Sequence, residues 1–167
     1  LQGAVEQVSA ANMSAAFDRL AVSLTAELQD RRPVLLAILP GSSYLLGALM
    51  QRMVFPLEVA YGTCVDDVFR PLDETPELAG RCVIVVDDGR VGDSQTALLT
   101  TALQQCKVSS LWRCSLVSPG NAESTDGFTR CLRAVVSEER ELFGCGMDLD
   151  GYCRNLPSLY RAVTAIR

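Results

Sequence analysis

The 167-residue sequence contains no histidine. That absence excludes Ser-His-Asp and Cys-His nucleophile systems, two-His zinc sites and any imidazole general base within the chain. Carboxylates, Lys, Arg, hydroxyls, thiols and backbone amides remain as its chemical tools. Long apolar runs are also missing. Val34–Leu39 and Val83–Val86 fall far short of the roughly 20 residues a membrane-spanning helix needs, and no charged, apolar and cleavage-site series marks a secretory signal. Basic residues are in the minority, 15 Lys and Arg against 20 Asp and Glu, for a formal charge of -5. That balance argues against a nucleic-acid surface, whose affinity rests on Lys and Arg neutralising phosphates. The chain begins at Leu1 rather than Met, which is compatible with removal of an upstream piece.

With 49% hydrophobic and 21% charged residues, the chain reads as one globular domain, 1–167, with a sizeable core and a cytoplasmic location. Seven cysteines, at 64, 82, 106, 114, 131, 145 and 153, are an odd number without C-x-x-C or metal-cage spacing. They read as buried, reduced thiols that pack as small hydrophobes.

Phe17, Leu20, Ala21, Leu24 and Leu28 recur at helical spacing, which predicts a helix over Asn12–Asp30 with Asn12 or Ser14 as its cap and Pro33 beyond its end. Val34–Leu39 has the continuous apolar character of a parallel strand buried on both faces. A Pro40-Gly41-Ser42-Ser43 turn then leads to a helix over Tyr44–Met53 and a strand over Pro56–Tyr61. Gly62–Gly80 reads as loop, with a short strand near Val65–Phe69. Cys82–Val86 is the next strand, followed by a helix over Ser94–Gln105 and a strand over Val108–Val117. Ser118–Gly127 reads as a second loop, and short strands near Leu132–Val136 and Glu141–Cys145 complete the series. Strands alternating with helices of this length imply an α/β fold whose central, mostly parallel sheet is flanked by helices. Ligands of such sheets bind beyond the carboxyl ends of the strands. Two stretches lie there: Leu39–Ser43, and Val86–Thr96 with its paired carboxylates, two glycines and helix-initiating hydroxyls. Backbone amides at a helix start, with Ser94 and Thr96 beside them, favour an anion such as phosphate. Asp87 and Asp88 are placed to accept from sugar hydroxyls or to bind Mg²⁺.

Read together, Ala15–Leu39, Phe55–Tyr61, Cys82–Asp88 and Leu142–Pro157 resemble the type I phosphoribosyltransferases, specifically the bacterial hypoxanthine-guanine group. Phe143-Gly144-Cys145-Gly146-Met147-Asp148-Leu149-Asp150-Gly151-Tyr152-Cys153-Arg154-Asn155-Leu156-Pro157 is similar to the family's F-G-Y-G-[LM]-D-Y-x-x-Y-x-R-N-L-P segment. Val83-Ile84-Val85-Val86-Asp87-Asp88 is similar to the strand and acidic pair that open its phosphoribosyl-pyrophosphate motif. The resemblance implies that fold with a small, reduced hood, Mg²⁺ as cofactor, and transfer of phosphoribose from its pyrophosphate to N9 of a 6-oxopurine. It implies phosphoribosyl pyrophosphate or a purine nucleotide as ligand, no nucleic-acid or membrane partner, and a homo-oligomer, dimer or tetramer. By matching position, Asp87, Asp88, Gly92, Asp93, Ser94, Gln95 and Thr96 would hold the phosphoribosyl group. Pro40, Gly41, Ser42 and Arg154 would hold pyrophosphate, Leu142 the base, and Asp87, Asp88 and Asp148 the metal.

Departures from the family pattern fall on the chemistry. Val91 stands where the family places an Asp near purine N7. One extra loop residue brings Thr96 into register as the family Thr and puts Gly92 at that Asp position instead. Val117-Ser118-Pro119-Gly120 offers no Lys for the 6-oxo group, Glu141 replaces the ring that stacks on the purine, and the Tyr61–Asp87 segment is short. Pro40 stands where a Lys or Asn is frequent. These departures predict weak or absent purine transfer on a surviving ligand site. The alternatives are an active transferase with altered base specificity and a non-catalytic oligomer partner.

Overall fold

The computed structural model describes residues 3–65, 68–72, 75–120, 127–139 and 141–163. The chain runs β1 (Ala4–Val8), α1 (Ala10–Leu28), β2 (Val34–Leu39), α2 (Ser43–Met50), β3 (Glu58–Val65), β4 (Val68–Pro71), β5 (Cys82–Asp87), α3 (Asp93–Gln105), β6 (Ser110–Ser118), β7 (Arg130–Val136), β8 (Leu142–Phe143) and β9 (Leu159–Ala162). The larger sheet has the order β4-β3-β2-β5-β6-β7. All its pairings are parallel except that of β4, which lies antiparallel on β3 at one edge.

Side-chain alternation along the central strands builds two cores. Leu35, Ala37, Ile84, Val86, Trp112 and Cys114 join Phe17, Leu24 and Leu28 of α1 and Leu45 and Leu49 of α2 on one face. Val34, Leu36, Val83, Val85 and Leu111 join Leu99 and Leu103 of α3 on the other. A strand covered on both faces has no polar side to present, hence the unbroken runs of β2 and β5. β3 lies to one side of β2 and β5 to the other, so the carboxyl ends of β2 and β5 flank the point where the chain order reverses, the usual crevice of such a sheet.

A second, antiparallel sheet of order β1-β9-β8 is the small hood. Phe143 stacks on Tyr160 within it at 5.6 Å between ring centroids. β1 and β9 escape a sequence reading because each is short and its partner lies at the opposite end of the chain. The predicted loop over Gly62–Gly80 is corrected in part, since β3 runs on to Val65 and pairs with β4. The cap of α1 is Ser9, whose hydroxyl accepts from the Asn12 amide at 3.3 Å, rather than Asn12 or Ser14. Most of the predicted Ser118–Gly127 loop lies outside the described residues. Cys82, Cys114 and Cys145 are buried as expected, but Cys106 and Cys131 are exposed, because they sit at a helix end and on the edge strand β7. No helix among the described residues is long and apolar enough to cross a membrane.

Candidate functional site

Three segments converge at the carboxyl ends of β2 and β5. The first is the turn after β2, where the Leu39–Pro40 peptide is cis and Gly41 and Ser42 are buried. The second is the end of β5 with Asp87 and Asp88. The third is the tightly turned segment after β8, closed by reciprocal Gly144–Met147 backbone hydrogen bonds of 2.9 and 3.0 Å and by the Cys145 amide on the Leu156 carbonyl at 2.8 Å. Glycine is needed where they touch. A Cβ at Gly41 would stand 1.9 Å from Asp88 Oδ2, and one at Gly146, whose φ is +102°, would stand 2.2 Å from the Gly41 carbonyl. Beside this junction is a cavity of about 340 Å³ lined by Asp88, Arg90, Ser118, Pro119, Glu138 and Met147. Its size suits a small organic ligand.

The carboxylates of the site are paired with guanidinium groups. Asp87, 1% exposed, accepts from Arg113 of β6 at 2.7 Å (Nε to Oδ2) and 3.3 Å (to Oδ1), and from the Gly89 amide at 2.7 Å. Asp148 Oδ1 lies 3.1 Å from Arg90 and 3.0 Å from Arg154, while its Oδ2 accepts from the Gly151 amide at 2.9 Å. Arg90 spans the cleft, donating as well to the Asp148 carbonyl at 3.2 Å and to the Leu142 carbonyl. Arg154 donates to the Gly146 carbonyl at 2.7 Å, which ties it to the segment resting on Gly41. Asp88 accepts from the Arg90 amide at 2.9 Å through Oδ1, and among the described residues no hydrogen bond reaches its Oδ2.

These surroundings push two carboxylates in opposite directions. Burial raises the Asp88 pKa above the ordinary carboxylate value, with nearby Asp87 adding to the rise and the Arg90 amide, Arg90 and Arg154 opposing it. Asp148 is lowered, foremost by the Gly151 amide; burial opposes this, and Arg154, its own backbone amide and Arg90 add to the lowering.

The structure thus brings together Gly41, Asp88, Leu142, Asp148 and Arg154 from the predicted site, with Asp87 directly beneath. Gly92 caps α3, and Asp93 and Ser94 stand exposed in its first turn. Gln95 is half-buried and Thr96 is buried. Two hydroxyls at the starts of α2 and α3, Ser42 Oγ and Thr96 Oγ1, are buried without a hydrogen-bond partner among the described residues. Pro40 is exposed. For Mg²⁺ the donor set is poor: Asp87 and Asp148 have their oxygens committed to arginines and amides, and Asp88 alone keeps one available. No group of three or more Cys, Asp and Glu among the described residues could hold a metal ion. These side chains therefore do not fit a cation held by the protein alone.

Sequence reasoning missed Arg90 and Arg113. Arg113 carries a legible signal, since a cation inside the buried run Leu111–Val117 demands a partner. Arg90 carries none. Its neighbours in the turn say nothing of the Leu142 carbonyl, 52 positions away.

No family model matches the chain. A hypoxanthine-guanine-xanthine phosphoribosyltransferase of Tritrichomonas foetus is 28% identical over 148 residues, covering 83% of this chain and 80% of that protein. Among solved structures, a hypoxanthine-guanine-xanthine phosphoribosyltransferase superposes with a TM-score of 0.86 at 24% identity, over 97% of this chain and 99% of that one. A hypoxanthine-guanine phosphoribosyltransferase of Bacillus anthracis gives 0.84 at 20% identity, over 96% and 97% of the two chains. The sequence relative and the structures point to the type I phosphoribosyltransferases of the hypoxanthine-guanine group, and the low identities fit a divergent member.

Proposed function

We propose that this chain, which has the fold of the hypoxanthine-guanine phosphoribosyltransferases, binds a phosphorylated ribose ligand and has weak or absent transfer to a purine base. Phosphoribosyl pyrophosphate and purine nucleotides are the ligands this reading names. One contrast within the cleft carries it. On the base side, the Leu142 carbonyl is already taken by Arg90, whereas Ser42 Oγ just before α2 and Thr96 Oγ1 in the first turn of α3 are buried without partners among the described residues. Buried hydroxyls left unpaired are costly, and a phosphate acceptor would satisfy them.

The residues that would act on a base support the same reading. Val117, Ser118 and Pro119 line the cavity where the resembled family has a Lys, and exposed Glu141 offers no aromatic face. Val91 carries no proton to exchange. Loss of a general acid or base costs about 10²–10⁴ in rate. In this reading Asp88 Oδ2 accepts from a ribose hydroxyl, and the amides of Gly41 and of Asp93, Ser94 and Gln95 in the first turn of α3 bind phosphate oxygens. Asp87, paired to Arg113, holds the end of β5 in place.

The cavity beside Arg90 favours a second reading, an active transferase with altered base specificity. Ser118 and the Glu138 carboxylate would there face a base richer in donors than a 6-oxopurine. Calorimetry with phosphoribosyl pyrophosphate, GMP and IMP, run beside a pyrophosphate-release assay with hypoxanthine, guanine, xanthine and aminopurines, separates the readings. Binding with release at least ~100-fold below a common turnover of about 10 per second is the expected result. Turnover near that value, abolished in Asp88→Ala, would establish the second reading instead. Failure of every ligand to bind at millimolar concentration overturns both.

A further inference from the structure

The structure assigns Arg90, together with Arg154, as a built-in replacement for a divalent cation, so that the phosphorylated ligand binds here without Mg²⁺. This inference deepens the proposed function and rests on it. Its basis is the charge arrangement of the cleft. Asp87 pairs with Arg113, Asp148 pairs with both Arg90 and Arg154, and Asp88 lies within the field of the same two arginines, so the formal charges of the six groups cancel. A dication gains from a site in proportion to the negative charge left uncompensated, and little is left around these three aspartates; of the cavity's other carboxylates, Glu139 pairs with Arg161 and Glu138 accepts from the Gly120 amide.

The two guanidinium groups near the ligand side are held ready for an anion. Both contact the same oxygen, Asp148 Oδ1, at 3.1 and 3.0 Å, and their side chains remain 37% and 31% exposed. Each guanidinium has five N–H donors. The contacts named use three in Arg90 and two in Arg154, which leaves donors on both for phosphate oxygens. Planar, permanently charged forks match phosphate geometry and give charge-assisted hydrogen bonds. Arg154 is bonded to the Gly146 carbonyl, and Gly146 rests on the Gly41 carbonyl, so its charge stands beside the turn assigned to pyrophosphate. Arg90 connects the acidic pair to the hood segment, a place where a bridging cation would otherwise join carboxylates and phosphate.

The test is calorimetry of inorganic pyrophosphate and phosphoribosyl pyrophosphate in millimolar MgCl₂ and, separately, in EDTA. The dissociation constants of the unaltered protein should agree within about twofold, since Arg supplies the charge that a metal would. Arg90→Ala removes one of the two arginines on Asp148 and leaves one negative charge of the cleft uncompensated, so binding should become at least about tenfold tighter with Mg²⁺ than with EDTA. Arg90→Lys, which keeps the charge but not the fork, should bind more weakly than the parent and share its indifference to Mg²⁺. A parent protein that binds only with Mg²⁺ overturns the inference and leaves the proposed function standing. Silence of every ligand in both buffers overturns the proposed function, and the inference with it. A second readout needs no ligand: Mn²⁺ paramagnetic resonance of the free protein should show no bound ion at submillimolar metal. Bound Mn²⁺ in the unaltered protein that Asp148→Asn removes would overturn the inference by itself.

Discussion

Arg113→Met tests whether the first carboxylate of the acidic pair is part of the scaffold. Asp87 is 1% exposed and receives three hydrogen bonds, two of them from Arg113, whose side chain is itself only 20% exposed. Removing one member of a buried pair leaves an uncompensated charge, a loss of about 3–5 kcal/mol. The Gly89 amide remains on Oδ1, which puts the expected value near the lower end, at about 3 kcal/mol. For a chain of this size that corresponds to a fall of about 6–12 °C in Tm. Arg113 also lies over the Phe128 ring at 5.9 Å, a contact the Met side chain keeps in part. Urea unfolding followed by circular dichroism, on Asp87→Asn, Arg113→Met and the double variant, isolates the pair. The double variant should lie within about 1 kcal/mol of the parent, because removing both charges removes the cost of burying them, and the coupling should reach about 2 kcal/mol. Strictly additive losses, or a loss below about 0.5 kcal/mol in Arg113→Met, would refute the account of Asp87 as an internally paired strut.

The other carboxylates should show opposite pH signatures. Asp88 has its folded pKa raised by burial, so its ionised form opposes folding; Asp88→Asn should stabilise the protein at neutral pH, and the difference should vanish as pH falls below about 3.9, where the parent is protonated in both states. Asp148 has its folded pKa lowered, so it contributes stability above the unfolded value that is lost as pH falls through the folded one; Asp148→Asn should destabilise by about 1–2 kcal/mol at neutral pH and less in acid. Unfolding curves at several pH values check both signs. Gly41→Ala would set a methyl 1.9 Å from Asp88 Oδ2, so the turn or the carboxylate must move. About 1–3 kcal/mol of stability and most of the pyrophosphate affinity should be lost, as measured by urea unfolding and calorimetry.

By itself the sequence determined the layers of the larger sheet and the place of the cleft. The runs Val34–Leu39 and Cys82–Val86 have the length and continuous apolar character of strands buried on both faces, and helices at 3.6-residue spacing are there to cover them, because apolar periodicity is a local property. The glycine turns and acidic pair at the strand ends then mark a crevice, and the absent histidine narrows its chemistry to carboxylates, arginines and amides. Tertiary structure alone decided who pairs with whom. The hood joins Ala4–Val8 to Leu159–Ala162 across nearly the whole chain, which no local pattern announces. Asp87, Asp88 and Asp148 look from sequence like equivalent ligands, yet only Asp88 keeps an oxygen available, because Arg113 and Arg90 reach the other two from β6 and from the turn itself. Long side chains carry charge across several ångströms in directions set by packing. For this protein those directions separate a cleft that would gather a metal ion from one that already holds its own positive charge.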